Sequence, residues 1–170
     1  MATVSRLSGP LTNRDASPRV LNDGNVDGGY VRESAGFCFV TTGDNSPSTY
    51  KFCQVPSSAR ISSLKTFWEG TGGTTTAAHF GLWSTTAAGG GVVDIDFFGS
   101  AVSMAAAING TELVHEAAVS GTSAVNGMEK ALWEQLGLTN DPNVMYDVGA
   151  ILANTADNSG SLGMLVRYVM

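Results

Sequence analysis

Chemistry in this sequence is best sought where charged or nucleophilic side chains recur at short spacing. VVDIDFF (92–98) sets Asp94 and Asp96 two residues apart. On a β-strand that stride puts both carboxylates on one face, the arrangement that binds a divalent cation or divides acid–base work. No Asx- and Gly-rich loop of EF-hand type surrounds them, and a half-buried strand shows polar residues on its wet face in any case. The pair therefore reads first as surface. His79 and His115 are the two histidines, and neither belongs to an H-E-x-x-H or C-x-x-C spacing, so zinc chemistry has little support. A Ser–His–Asp triad is a matter of geometry and stays open here, but no G-x-S-x-G elbow is present. EGTGGTTT (69–76) lacks the spacing, the lysine and the following helix of a phosphate loop, and reads as a turn. NGT (109–111) fits a glycosylation sequon by coincidence. We expect no catalytic residue, no metal and no cofactor.

The arginines are the second group with a pattern. NRDASPRVLNDGNVDGGYVRES (13–34) carries Arg14, Arg19 and Arg32, half of the chain's six, in a stretch of Gly, Pro and Asx with almost nothing to bury. A planar guanidinium pairs bidentately with a carboxylate, so these are candidate partner-binding anchors. Residues 1–35 are neutral, whereas 36–170 hold five basic residues against eleven acidic and carry the whole net charge of −6. Such a body repels phosphate backbones, which argues against nucleic acid as a partner.

The aromatic and sulfur residues invite two further readings. Trp68, Trp83 and Trp133 would make a sugar-stacking platform if exposed. Tryptophans on strands and amphipathic helices are more often core or subunit-contact residues, and that reading is preferred. Cys38 and Cys53 sit at comparable places on two short apolar runs. They read as small hydrophobes in a reducing compartment, with a cross-strand disulfide as the lesser alternative.

The elements that must hold these residues are mostly strands. GFCFV (36–40) and YKFCQV (50–55), separated by TTGDNSPST, read as a β-hairpin. ARISSLKTFWEG (59–70), AAHFGLW (77–83), VVDIDFF (92–98), TELVHEAAV (111–119), VMYDVGAILA (144–153) and SLGMLVRYVM (161–170) add six more. Two stretches read as helical: the alanine-rich GSAVSMAAAING (99–110), and NGMEKALWEQLGL (126–138), where Met128, Leu132, Trp133 and Leu136 fall on one side and Gly137 supplies a stop.

With 43% hydrophobic and 14% charged residues and 21 glycines among 170, the chain has the composition of a single β-rich domain with a small-residue surface. We expect an all-β fold, a jelly-roll-like two-sheet sandwich over 36–170 with one short inserted helix, preceded by an extended N-terminal arm over 1–35. No apolar run reaches the ~20 residues of a membrane span, so no membrane partner is expected. The first residues lack the charged-then-apolar pattern of a secretory signal, and synthesis in a cytoplasm is expected.

The order NDGNVDGGYVRES, VPSSARISSLKTFWEG, HFGLW, GGGVVDIDFFGSAVSM, ALWEQLGLTNDPNVMYDVGAILA and a last strand ending LVRYVM resembles the head decoration, or cement, proteins of tailed bacteriophages, a family of capsid-stabilising structural proteins. The resemblance spans most of residues 20–170 and leans on VVDIDFFGSAV combined with LWEQLGLTNDPNVMYDV. It implies a jelly-roll-like domain on the capsid surface of the virion, commonly a homo-trimer, with the major capsid protein as partner and no catalytic residues. A virion adhesion or carbohydrate-binding β-sandwich, using exposed aromatics, is the alternative.

Overall fold

The computed structural model describes residues 8–22, 24, 28–70, 74–114 and 127–170. Eight strands among them form two four-stranded antiparallel sheets. In chain order these are a short helix Gly9–Asp15 (α1), then Val31–Val40 (β1), Thr49–Pro56 (β2), Arg60–Trp68 (β3), Ala77–Ser84 (β4), Val92–Ser103 (β5) and Ile108–Glu112 (β6). A single helical turn Leu132–Gln135 (α2) precedes Met145–Leu152 (β7) and Gly160–Val169 (β8).

The pairing is nested. β1 pairs with β8, β2 with β7, β3 with β6 and β4 with β5. Folding such a long hairpin over on itself gives sheet orders β1-β8-β3-β6 and β2-β7-β4-β5. This is jelly-roll topology, the expected all-β sandwich with its short helix.

Alternation along the strands explains why the two sheets face each other. Ile61, Leu64 and Trp68 of β3, Leu162, Met164 and Val166 of β8, Ala78, Phe80 and Leu82 of β4, and Tyr146, Val148, Ala150 and Leu152 of β7 form one buried cluster between them. Each fully buried large side chain contributes ~1.5–3 kcal/mol. The ion pairs Arg14–Asp15 and Arg167–Glu33 lie at the surface, where such pairs are worth about 0–1 kcal/mol, so burial dominates the stability. Phe97 and Phe98 are neighbours yet both buried, with rings edge to face at 4.9 Å. The β4–β5 register shifts three times, and the backbone of β5 passes over Gly81, where a Cβ would strike the carbonyl oxygens of Asp94 and Ile95. Only glycine fits there.

Three sequence expectations are corrected. The runs 36–40 and 50–55 are not a hairpin: β1 lies in the first sheet and β2 in the second. The intervening loop carries the chain across the sandwich, because Val40 and Val55 must both point into the core from opposite sheets. The stretch 99–110 is not helical. β5 continues through it to Ser103, with Val102 opposite Ala78 and Ser103 opposite Ala77, so cross-strand pairing overrides the helix propensity of its alanines. The helix expected over 126–138 shrinks to α2. Its first two N–H groups are taken by the carbonyls of Ala59 and Ser57, which ties it to the β2–β3 turn instead of letting it propagate.

Within the segment read as extended, Gly9–Asp15 are helical, with Pro10 in the first turn where its missing N–H costs nothing. β1 opens at Val31, ahead of the boundary expected at 36, because its register with β8 runs back to Val31↔Val169. The end of the strand expected over 111–119 lies outside the described residues. No helix among the described residues is long and apolar enough to cross a membrane.

Candidate functional site

Of the residues singled out for chemistry, most hold the fold together. Asp94 Oδ1 accepts a hydrogen bond from the Asp96 backbone N–H at 3.3 Å, a local turn of the irregular β5. His79 Nδ1 accepts from the Ala101 N–H at 3.2 Å and lies 3.3 Å from the Ser100 hydroxyl, which braces β4 against β5. His115 lies outside the described residues. Among the described residues no three His, Cys, Asp or Glu side chains gather as a metal site. Trp68 and Trp83 are 1% and 2% exposed and present no ring to a sugar or a neighbouring subunit. Trp83 packs against Gly149, whose missing side chain makes room for the ring. Trp133, on α2, is half-buried.

Cys38 and Cys53 are free thiols on the two facing edge strands. The Cys38 thiol donates to the Lys51 carbonyl at 3.5 Å. Burial raises both thiol pKa values, that of Cys53 to about 11, so neither is a ready nucleophile. The Gly-rich stretch 69–76 ends in Thr74, Thr75 and Thr76, whose N–H and hydroxyl groups converge on Asp157. Those bonds hold the Asp157 carboxyl well below its usual range. On the outer face of the second sheet, Asp147 accepts from Lys51 Nζ and from Gln54 Nε2, both at 2.9 Å.

What remains unexplained by the fold is a surface and an arm. On the outward face of β1-β8-β3, Gly163 stands in register between Phe37 and Phe67. A Cβ at 163 would lie 3.8 Å from the Cβ of each, so the glycine leaves a gap on this face between the two phenylalanines, and the Phe67 ring reaches over Gly110 of β6. Ala35 and Leu165 extend this apolar floor, and Glu69 and Ser161 close one end, giving an open groove of about 640 Å³. Phe37 is 76% exposed. Beyond the other end, Arg167 Nε and Glu33 Oε2 pair at 2.7 Å. The sequence showed Phe37 and Phe67 only as strand residues. Their facing position depends on β1 and β3 both flanking β8, which no local pattern reveals.

The three arginines differ in state. Arg14, in α1, is held by Asp15 through Nε at 2.7 Å and Nη2 at 2.9 Å. Arg32 is an exposed residue of β1 opposite Tyr168. Arg19 is exposed and has no ion-pair partner among the described residues. Beside it, Val20 is exposed and Leu21 is 83% exposed.

No protein-family model and no curated protein matches this chain. Among solved structures it is similar to a chain of the "Cyanophage Pam1 capsid asymmetric unit", with a TM-score of 0.50 and 17% identity, over 89% of this chain and 93% of that one. At that identity the likeness concerns the fold, and it spans nearly the full length of both chains.

Proposed function

We propose that this chain is a structural virion protein, without catalytic activity, that binds the outer surface of a bacteriophage capsid and stabilises it as a decoration or cement protein. The observation that carries the reading is the near full-length likeness to a chain from a phage capsid asymmetric unit. It agrees with the sequence resemblance to decoration proteins, which rests on different information. The chemistry is compatible: the hydrogen-bond clusters described above tie loops and strands to one another, and what faces outward is an apolar groove and an arm with exposed apolar and basic residues.

A capsid presents repeated shallow sites, and an arm that orders on docking contributes much contact area per residue. Several copies clamping one site multiply weak contacts through effective concentration. The partner in this reading is the major capsid protein, and the assembly is a homo-trimer.

Co-sedimentation of the purified chain with capsids lacking it, followed by electron-microscopy reconstruction, tests the proposal. Density at symmetry-related positions on the outer surface and a raised capsid melting temperature are expected. Capsids that neither bind the chain nor gain heat resistance would refute it. A chain lacking residues 1–28 is expected to lose binding while its body stays folded.

A further inference from the structure

We infer that the groove between Phe37 and Phe67 receives the arm residues Arg19–Leu21 of a second copy of this chain, so that arm exchange links the protomers. The two surfaces are complementary in three respects.

The first is shape and polarity. The groove offers a gap over Gly163 between the Cβ atoms of Phe37 and Phe67, two residues that line it. Leu21 is a large apolar side chain left 83% exposed in its own chain. The two stay open together in a single protomer, since Phe37 is 76% exposed, so the arm does not cover its own groove.

The second is charge. Glu69 closes one end of the groove and is exposed, with no side-chain partner among the described residues. At the other end the Glu33–Arg167 pair is self-neutralised, with Lys65 beside it on β3. Among the described residues neither Arg19 nor Arg32 has an ion-pair partner, and of the two only Arg19 lies ahead of β1, whereas Arg14 is already held by Asp15.

The third is stride. Residues 19–22 have no helix or turn assignment, and the Val20 N–H and the Asn22 side chain bond back to Asn13 and Pro10, so this segment and α1 form one unit ahead of β1. In extended backbone, Arg19 and Leu21 point the same way about 6.6 Å apart. Glu69 lies two residues beyond Phe67 on β3, at the same stride, and its N–H bonds the Ser161 carbonyl to continue the ladder. Leu21 over Gly163 therefore places Arg19 at Glu69. Each chain carries one arm and one groove, so the contacts are satisfied either by reciprocal exchange in a two-fold dimer or head-to-tail in a closed ring.

Sedimentation and light scattering on the full chain at micromolar concentration test this without any capsid. The wild type is expected to associate. Gly163→Leu fills the groove from its floor, where space exists for the added atoms, and should give monomers with an unchanged melting temperature. Leu21→Asp, on the arm and outside the sandwich, should do the same. Arg19→Glu should weaken association about tenfold, and adding Glu69→Arg should restore it. A wild type that is monomeric at every concentration overturns the inference, as does an oligomer indifferent to both Gly163→Leu and Leu21→Asp. A monomeric chain whose Gly163→Leu variant loses capsid binding would assign the groove to the shell and also overturn it. Failure of capsid binding with the oligomer intact would count against the proposed function alone.

Discussion

The carboxylate of Asp157 collects hydrogen bonds from the N–H groups of Thr74 and Thr75 at 2.6 and 2.9 Å and from the Thr76 hydroxyl, and so pins the β3–β4 connection to the β7–β8 loop. These donors favour the charged form and lower its pKa from 3.8. A carboxylate with a depressed folded pKa stabilises the native state above its unfolded value, and that contribution is lost as pH falls through the folded value. Asp157→Asn should therefore lower the melting temperature at pH 7, and the gap from wild type should close as pH drops below about 3.8. Thermal unfolding from pH 7 to pH 2 measures this, and parallel curves across the range would assign the acid sensitivity elsewhere. Nothing local in NTADNSG (154–160) marks Asp157 out, because the three threonines it serves lie some eighty positions away.

At the level of elements, sequence periodicity and structure diverge most at α2. The pattern in NGMEKALWEQLGL places Met128 and Leu132 on one apolar face, but in the fold Leu132 is fully buried and Met128 is 49% exposed. Leu132→Ala should cost ~2–4 kcal/mol in chemical denaturation. Met128→Ala should stay within about 0.5 kcal/mol, and equal costs would restore the longer helix. Where the sequence was legible, one face of each strand had to be apolar: β3, β4, β7 and β8 stand within a residue or two of their expected positions. It misled wherever long-range pairing decided the outcome. Alanines 105–107 raise helix propensity, yet the preceding residues 99–103 are held as strand by Phe80, Ala78 and Ala77. The first two strands look like a hairpin because they are adjacent in sequence, while their true partners lie at the far end of the chain. The groove was invisible for the same reason, since Phe37, Gly163 and Phe67 come from three strands. The arm arginines could be picked from sequence as a group, but only the structure separates the held Arg14 and the strand residue Arg32 from the open Arg19.

Nested pairing also decides how the whole molecule responds to losing either end. β8 lies between β1 and β3, so the last strand is the spine of the first sheet, and the Tyr30–Met170 backbone bonds extend that ladder to the C-terminal residue. Removing residues 160–170 would strip both neighbours of their hydrogen-bond partner and open one side of the core over Ile61, Leu64 and Trp68. That truncation should show no cooperative unfolding transition. Removing residues 1–28 takes away α1 and the exposed Val20 and Leu21 while leaving every strand and the Tyr30–Met170 contact in place. Its melting temperature should lie within about 3 °C of the parent, equivalent to no more than ~1 kcal/mol for a chain of this size. Differential scanning calorimetry of both truncations separates the roles: the C-terminal strand builds the body, and the N-terminal segment is free to serve a partner. An N-terminal truncation that lowered the transition by 10 °C or more would mean that the arm belongs to the fold, and neither the capsid nor a second copy would then need to be invoked to explain its exposed residues.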